Sequence, residues 1–227
     1  MSAVLFSGGL DSAVLLAEEA ARAEVQPIYV SVGVAWESAE RDAIGRLLAA
    51  SGAGAGVRPL ASLSVDMTDV YPAAHWSRLG RPPEYHTPDE DVYLPGRNVV
   101  LFGKAGVYCA AAGIARLVIG TLDHNPFPDA TPAFRAAMAS ALSLGLDHAL
   151  EIDAPFARVG KAEVVRRGLA RGVPLELTLS CMNPVFLGET AFPRHCGRCS
   201  KCRERHDAFL EARVGDPTDY VDLTFVR

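Results

Sequence analysis

Apolar runs of about four to seven residues alternate along the chain with amphipathic stretches of about ten to fifteen. This rhythm predicts βαβ units around a doubly wound parallel sheet, an α/β fold with both faces covered. The strand signal falls on residues 3–6, 27–32, 57–61, 117–120 and 149–153. Residues 11–23 put Val14, Ala17 and Ala21 on one helical stripe, 132–144 do the same with Phe134, Met138 and Leu142, and 161–171 with Ala162, Val165 and Leu169. The second helix has its ends written into it. Thr131 can cap its N-terminus, Pro132 suits the first helical position because no N–H is needed there, and Gly145 can take the left-handed conformation that ends a helix. Gly172 offers the third helix the same stop.

Residues 71–95 interrupt the rhythm. They are too long for a plain connection and too rich in proline for a helix, so they read either as a functional loop or lid or as a surface insertion. The Gly-Ala run at 51–56 has GxGxG spacing and leads into a strand instead of a helix, which makes it a linker and not a dinucleotide fingerprint. The chain shows no internal repeat and no low-complexity tract.

Composition narrows the class. With 227 residues, 49% of them hydrophobic and 22% charged, the chain has enough apolar surface for a full core, which excludes disorder, collagen and coiled coil. A net charge of −5 counts against a grip on long nucleic acid and favours a small-molecule partner. The longest apolar stretch, 105–115, lies between Lys104 and Arg116 and falls short of the roughly 20 residues a membrane span needs. The first residues carry no secretory signal, so a cytoplasmic location is expected. Of 5 cysteines, Cys181, Cys196, Cys199 and Cys202 crowd the end of the chain, as in a metal knot and unlike a disulfide framework.

Two clusters carry chemistry. The first apolar strand runs into Ser7, Gly8, Gly9, Leu10, Asp11 and Ser12, then a helix. The glycines let the backbone turn and aim its N–H groups outward, the serines add hydroxyls, and the helix start adds positive dipole; together they form an anion cradle sized for pyrophosphate. Neither the Walker nor the Rossmann spacing is present, and a turn with a capping aspartate is the plain alternative. Asp11 beside phosphates calls for a cation between them, hence Mg²⁺. In the second cluster, CxxCxxC from Cys196 to Cys202 plus Cys181 gives four thiols, a set suited to a structural Zn²⁺, with an iron–sulfur cluster as competitor. His195 and His206 flank it as substitute ligands or bystanders, and Cys109 reads as an apolar filler.

The loop SGGLDS resembles the signature of the PP-loop ATP pyrophosphatases, of adenine nucleotide alpha-hydrolase-like fold. Together with PGRN at 95–98, the turn from Asp123 to Asp129, SLG at 143–145, KAE at 161–163 and CGRCxxC, it resembles the 7-cyano-7-deazaguanine synthase family of queuosine biosynthesis, from Ser7 to about Arg205. The resemblance implies a nucleotide-binding domain over 1–175, a Cys₄ segment with its packed helix over 176–227, and a homodimer. It implies an ATP-dependent ligase that turns 7-carboxy-7-deazaguanine and ammonia into the nitrile through two adenylated intermediates. The implied roles put Lys161 and Arg97 against the phosphates or the substrate carboxylate, the alternative being solvated helix-end charges. Asp129 reads a guanine-like edge, Asn98 and Asp123 assist it, and the adenine lies near Val30 and Gly33. The chain departs from the family's Tyr-Gly-Gln-Arg-His run, carrying Val32, Gly33, Val34, Ala35 and Trp36, and it has Ala130 and Thr131 after Asp129 and Leu179 near Cys181. Two other readings stay open: a related ligase that couples another acid or amine or stops at the amide, and a zinc-containing tRNA-modifying or nucleic-acid-binding protein. The last rests on Arg194, Arg198, Lys201, Arg203 and Arg205.

Overall fold

A computed structural model describes residues 1–50, 56–188 and 192–225. The alternation of side chains along each strand explains its two-sided core. In β1 (Ser2–Leu5), Val4 joins one buried cluster while Ala3 and Leu5 join another. In β2 (Val25–Ser31), Val25 and Tyr29 face the first cluster, Ile28 and Val30 the second. A strand that buries both faces needs helices on both sides, and that is the arrangement of a parallel sheet. The remaining strands are β3 (Ala61–Ser64), β4 (Arg116–Val118) and β5 (Glu151–Asp153), and all pairs run parallel in the order β3-β2-β1-β4-β5.

One face carries α1 (Leu10–Ala20), α2 (Glu37–Ala50), α6 (Lys161–Ala170) and α7 (Ser200–Ala212), which bury Val14, Ile44, Val165 and Phe209 in a common cluster. The C-terminal helix thus shares the core of α1. The opposite face carries α4 (Arg97–Ala111) and α5 (Pro132–Leu146). In α4, Phe102, Ala105, Gly106 and Cys109 recur at helical spacing and are buried. Cys109 is the filler expected of it, and burial pushes its thiol pKa up to about 12.

Several boundaries differ from expectation for physical reasons. The third strand, expected at 57–61, begins at Ala61; only Val57 bridges Val25 before it. Pro59 has no N–H to donate, so the ladder resumes beyond it. α1 stops at Ala20 instead of residue 23. In α5, Thr131 caps as expected, accepting from Phe134 N–H at 3.2 Å, but Gly145 lies inside the helix and Asp147 takes the left-handed position at φ 47°. The α5 stripe of Phe134, Met138 and Leu142 is half-buried, since this helix packs at the edge of its layer.

Residues 71–95 form an ordered wall, not a surface ornament. They contain α3 (Trp76–Leu79) and a 3₁₀ turn (Asp89–Val92), and they bury Tyr71, Tyr85, Val92 and Leu94. The Gly-Ala run lies outside the described residues apart from Gly56. Among the described residues no helix is long and apolar enough to cross a membrane.

Candidate active site

From β1 the chain winds outward to β2 and β3, then crosses back to β4 and β5 on the other side. The carboxyl ends of β1 and β4 therefore diverge, which is where sheets of this kind bind ligands. A cavity of about 290 Å³ opens there, walled by Ser7, Gly9, Asp11 and Ser12 on one side and by Arg97, Asn98 and Asp129 on another.

The loop is shaped by Gly8. Its φ is +74°, and a Cβ there would lie 3.0 Å from Ile44 Cγ1 and 3.3 Å from the α2 backbone, so both conformation and space demand glycine. Gly9 is the N-cap of α1 and offers no side-chain cap, which leaves the first amides of the helix facing the cavity for an anion. Ser12 Oγ donates to the Gly9 carbonyl at 3.0 Å and fixes the turn. The Leu10 side chain points into the core, so only its main chain belongs to the loop.

Asp11 Oδ2 accepts from Lys161 Nζ at 3.0 Å, while its Oδ1 is buried with no hydrogen-bond partner. Such a bare carboxylate oxygen beside the uncapped start of a helix suits a divalent cation. Lys161 stands behind Asp11, also 2.7 Å from Glu204 Oε1, and is not part of the cavity wall. Burial alone would depress its ammonium, but the carboxylates of Asp11 and Glu204 outweigh this and hold its pKa above the ordinary lysine value. Glu204 shows the converse: burial pushes it up, and Lys161 and Lys201 more than reverse that, leaving it well below the usual carboxylate range. Lys201, 2.5 Å from Glu204 Oε2, does reach the cavity wall.

Across the cavity, Arg97 opens α4, and its buried Nε has no hydrogen-bond partner. Asn98 N–H donates to Asp129 Oδ2 at 3.2 Å, and Asn98 Nδ2 donates to Oδ1 at 3.2 Å and to the Asp129 carbonyl at 3.1 Å. Asp129 is thereby held at the wall with further acceptor capacity on both oxygens. Burial raises its pKa against the lowering effect of those bonds.

Besides Lys161, two of the expected contacts lie elsewhere. Gly33 is off the wall, and its N–H, with those of Val32 and Val34, donates to Glu37 Oε1, so these groups are not free to read an adenine edge; Val30 does line the cavity. Asp123 is off the wall too, accepting from its neighbour His124 N–H at 2.9 Å.

The cavity is also framed by two aromatic pairs: Trp36 on Trp76, with centroids 5.8 Å apart and planes 6° apart, and Tyr93 on Phe127, 5.2 Å and 27°. Buried Glu40 fixes the first, accepting from Tyr29 Oη at 2.8 Å and from Trp36 Nε1 at 3.2 Å. Burial raises the Glu40 pKa, opposed by nearby Arg97. Trp76, Tyr93, Glu40 and Lys201 were not singled out by sequence as site residues; only Lys201 carried a local signal, since Lys201 and Glu204 stand three apart on a helix that starts at the cysteine knuckle.

The four thiols of Cys181, Cys196, Cys199 and Cys202 are buried and lie within 4.8 Å of one another. Closest approaches run from 3.5 Å for Cys199 to Cys202, through 3.8 Å for Cys196 to Cys202, to 4.0 Å for Cys181 to Cys199. A tetrahedral ion with metal–sulfur bonds of about 2.3 Å puts its sulfurs about 3.8 Å apart, so the donor set fits one such ion. Gly197 makes the knuckle, with φ +78° and no room for a Cβ against the Asp222 carbonyl. His195 is buried and accepts from Ser180 N–H at 3.1 Å, as a bystander. The basic residues nearby have acid partners within the molecule, Arg194 with Asp219, Arg198 with Asp222, Lys201 with Glu204 and Arg203 with Asp89, and Arg205 is wholly buried.

A sequence profile described as "Queuosine biosynthesis protein QueC" matches residues 1–213. The chain belongs to this family. Among the family's relatives, the "7-cyano-7-deazaguanine synthase" of Anaeromyxobacter dehalogenans is 35% identical over 96% of this chain and 94% of its own, and that of Methanopyrus kandleri 35% over 96% and 98%. Among solved structures, the U34-tRNA thiolase NcsA of Methanococcus maripaludis with its [4Fe-4S] cluster is similar over 100% of this chain and 70% of its own, with TM-score 0.45 and 14% identity. A "predicted subunit of tRNA methyltransferase" from Methanocaldococcus jannaschii gives TM-score 0.41 at 17% identity, covering 87% of this chain and 96% of its own. These two likenesses are too distant to carry chemistry. The family places the chain among enzymes of queuosine biosynthesis, and its fold is an α/β fold with a parallel sheet.

Proposed function

We propose that this chain is an ATP-dependent 7-cyano-7-deazaguanine synthase acting on 7-carboxy-7-deazaguanine and ammonia. The observation that carries the reading is one cavity with an open anion loop at one side and, at the other, Asp129 and Arg97, whose buried Nε has no hydrogen-bond partner. A carboxylate is a poor electrophile because its oxygen leaves badly. In the proposed sequence that oxygen attacks the α-phosphorus of ATP, pyrophosphate departs, and ammonia displaces AMP with loss of a proton to give the amide. The amide oxygen then attacks a second ATP, pyrophosphate departs again, and loss of both N–H protons with AMP leaves the nitrile.

The Ser7–Ser12 loop holds the phosphates, and Asp11 Oδ1 holds Mg²⁺, which when bound screens the charge of the departing pyrophosphate. Lys161 keeps Asp11 in place from behind. Arg97 pairs with the substrate carboxylate, and Asp129, oriented by Asn98, accepts from a guanine-type N1–H and 2-amino group. Val30 walls the adenine side. The Cys₄ set holds Zn²⁺ in a structural role worth on the order of 10 kcal/mol of coupled folding energy; sulfurs this close suit one ion better than the larger body of an iron–sulfur cluster. A homodimer belongs to the same reading and is tested by sedimentation.

The test is turnover. Metal-loaded protein with ATP, ammonia and the acid should release two AMP and two pyrophosphate per nitrile; folded, loaded protein that releases neither refutes the reading. The Trp36–Trp76 stack, standing where the family carries its polar run, favours a second reading in which a related acid or amine is used. Mass spectrometry with a panel of acids and amines separates the two, because only the first yields 7-cyano-7-deazaguanine. The acid partners of Arg194, Arg198, Lys201 and Arg203 and the burial of Arg205 weigh against the nucleic-acid reading.

A further inference from the structure

We propose that Lys201, delivered by the metal-knot helix α7, binds the β- and γ-phosphates of ATP. This rests on the ATP-dependent reading above. Asp11, Lys161, Glu204 and Lys201 form one line of alternating charge, with contacts of 3.0, 2.7 and 2.5 Å in that order. The inner members, Lys161 and Glu204, sit behind the cavity, while both ends of the line, the Asp11 carboxylate and the Lys201 ammonium, stand on its wall.

The two ends meet different needs of a magnesium–polyphosphate. Asp11 turns an unpartnered, buried Oδ1 to the cation. Lys201 is the member with freedom to engage an anion. Its side chain is 27% exposed against 12% for Lys161, and it has one carboxylate neighbour where Lys161 has two. Lys161, pinned on both sides, cannot turn to a phosphate without leaving Asp11 or Glu204 uncompensated in a buried place. Lys201 can share its three donors between Glu204 and a phosphate oxygen with nothing stranded. The loop amides and the start of α1 cover one side of the polyphosphate, and a cation from α7 supplies the charge they lack. Glu204 is the positioning residue, fixing the separation of the two ends.

The experiment is calorimetry with metal-loaded protein, comparing Mg·ATP with AMP for wild type, Lys201→Met and Lys201→Arg. A hydrogen bond to a charged group contributes about 1.5–3 kcal/mol, or about ten- to a hundredfold in affinity. Lys201→Met should weaken Mg·ATP by at least tenfold and leave AMP within twofold, and Lys201→Arg should restore part of the loss. Equal binding of Mg·ATP by wild type and Lys201→Met overturns the assignment, as does parallel weakening of AMP. Wild type that binds neither nucleotide overturns the ATP reading itself, and the assignment with it. Metal content and thermal midpoint show that each variant is folded, and Lys201→Gln replaces Lys201→Met if the latter is not.

Discussion

Replacing Lys161 with Met keeps the length of the side chain and removes the charge between two carboxylates. The Lys161 side chain is 12% exposed, 3.0 Å from Asp11 and 2.7 Å from Glu204. Stripping one partner from a buried ion pair costs about 3–5 kcal/mol, because the other charge is left uncompensated. Two features lower the figure here. Glu204 keeps Lys201 at 2.5 Å, and the Asp11 side chain, 25% exposed, retains some water. The expected loss is about 2–4 kcal/mol, or a fall in thermal midpoint of about 5–15 °C for a chain of this size.

The loss has a pH signature. Glu204 titrates below the ordinary carboxylate range, so its stabilisation is present above the unfolded value of about 4.3 and is lost as pH falls from there toward the folded value. Without Lys161 the folded value moves back up, and the acid-side loss shrinks. The gap between wild type and Lys161→Met is therefore widest at neutral pH and narrows below about pH 4.3. Urea unfolding of metal-loaded protein, followed by the fluorescence of Trp36 and Trp76, measures the gap. A double-mutant cycle with Glu204→Gln should give a coupling of at least about 1 kcal/mol. Additivity within about 0.5 kcal/mol, or a gap that does not change with pH, refutes the array.

Arg97→Met should cut kcat/KM for the acid by about a hundredfold or more while Mg·ATP binding by calorimetry falls much less, since the substrate carboxylate loses its partner and buried Glu40 loses a nearby positive charge. Asp129→Asn should lower kcat/KM for the deazaguanine by about a hundredfold and the thermal midpoint by a few degrees, because both Asp129 oxygens accept from Asn98 and an amide nitrogen can replace neither there nor against the base. Cys202→Ala leaves three thiols for the ion and should abolish stoichiometric metal, with loss of helical signal by circular dichroism; full metal content in this variant would show that Cys202 is not a ligand.

The sheet was legible because its signal is local: each strand is a short apolar run, and burial on both faces follows from it. Where a local rule competed with pairing, the reading slipped. Val57 and Leu60 look like strand residues, but Pro59 between them cannot donate to the ladder. The glycine turn at Ser7–Ser12 and the gathering of the four cysteines were legible for the same reason, being short motifs whose spacing implies geometry. The partnerships were not. Asn98 and Asp129 are 31 residues apart, Lys161 and Glu204 43, and Asp11 and Lys161 150, so nothing near each residue announces its neighbour. Charge counting along the C-terminal segment suggested a basic surface; in the fold those cations are paired or buried, because each has an acidic or carbonyl partner brought by tertiary packing.

On the proposed reading, helix α7 would let a structural metal govern the geometry of the site without touching substrate. Cys199 is the N-cap of the helix and Cys202 lies in its first turn, so an ion held by the four thiols would fix both the position and the rotation of the helix about its axis. That rotation assigns the residues between and after them. Lys201 faces the cavity, and Glu204, three residues on, faces Lys161. Arg203 turns the other way and holds the Tyr85 and Thr87 carbonyls at 2.9 and 2.8 Å and Asp89 at 2.7 Å, tying down the segment whose Val92 and Leu94 wall the cavity. Arg205 is locked into the core through Thr178, Thr218 and the Leu175 carbonyl. A helix advances about 100° per residue, so a modest turn about its axis would misdirect all four side chains at once. Removing the metal should therefore weaken both nucleotide and acid even where the sheet stays folded, a loss that a metal serving stability alone would not produce.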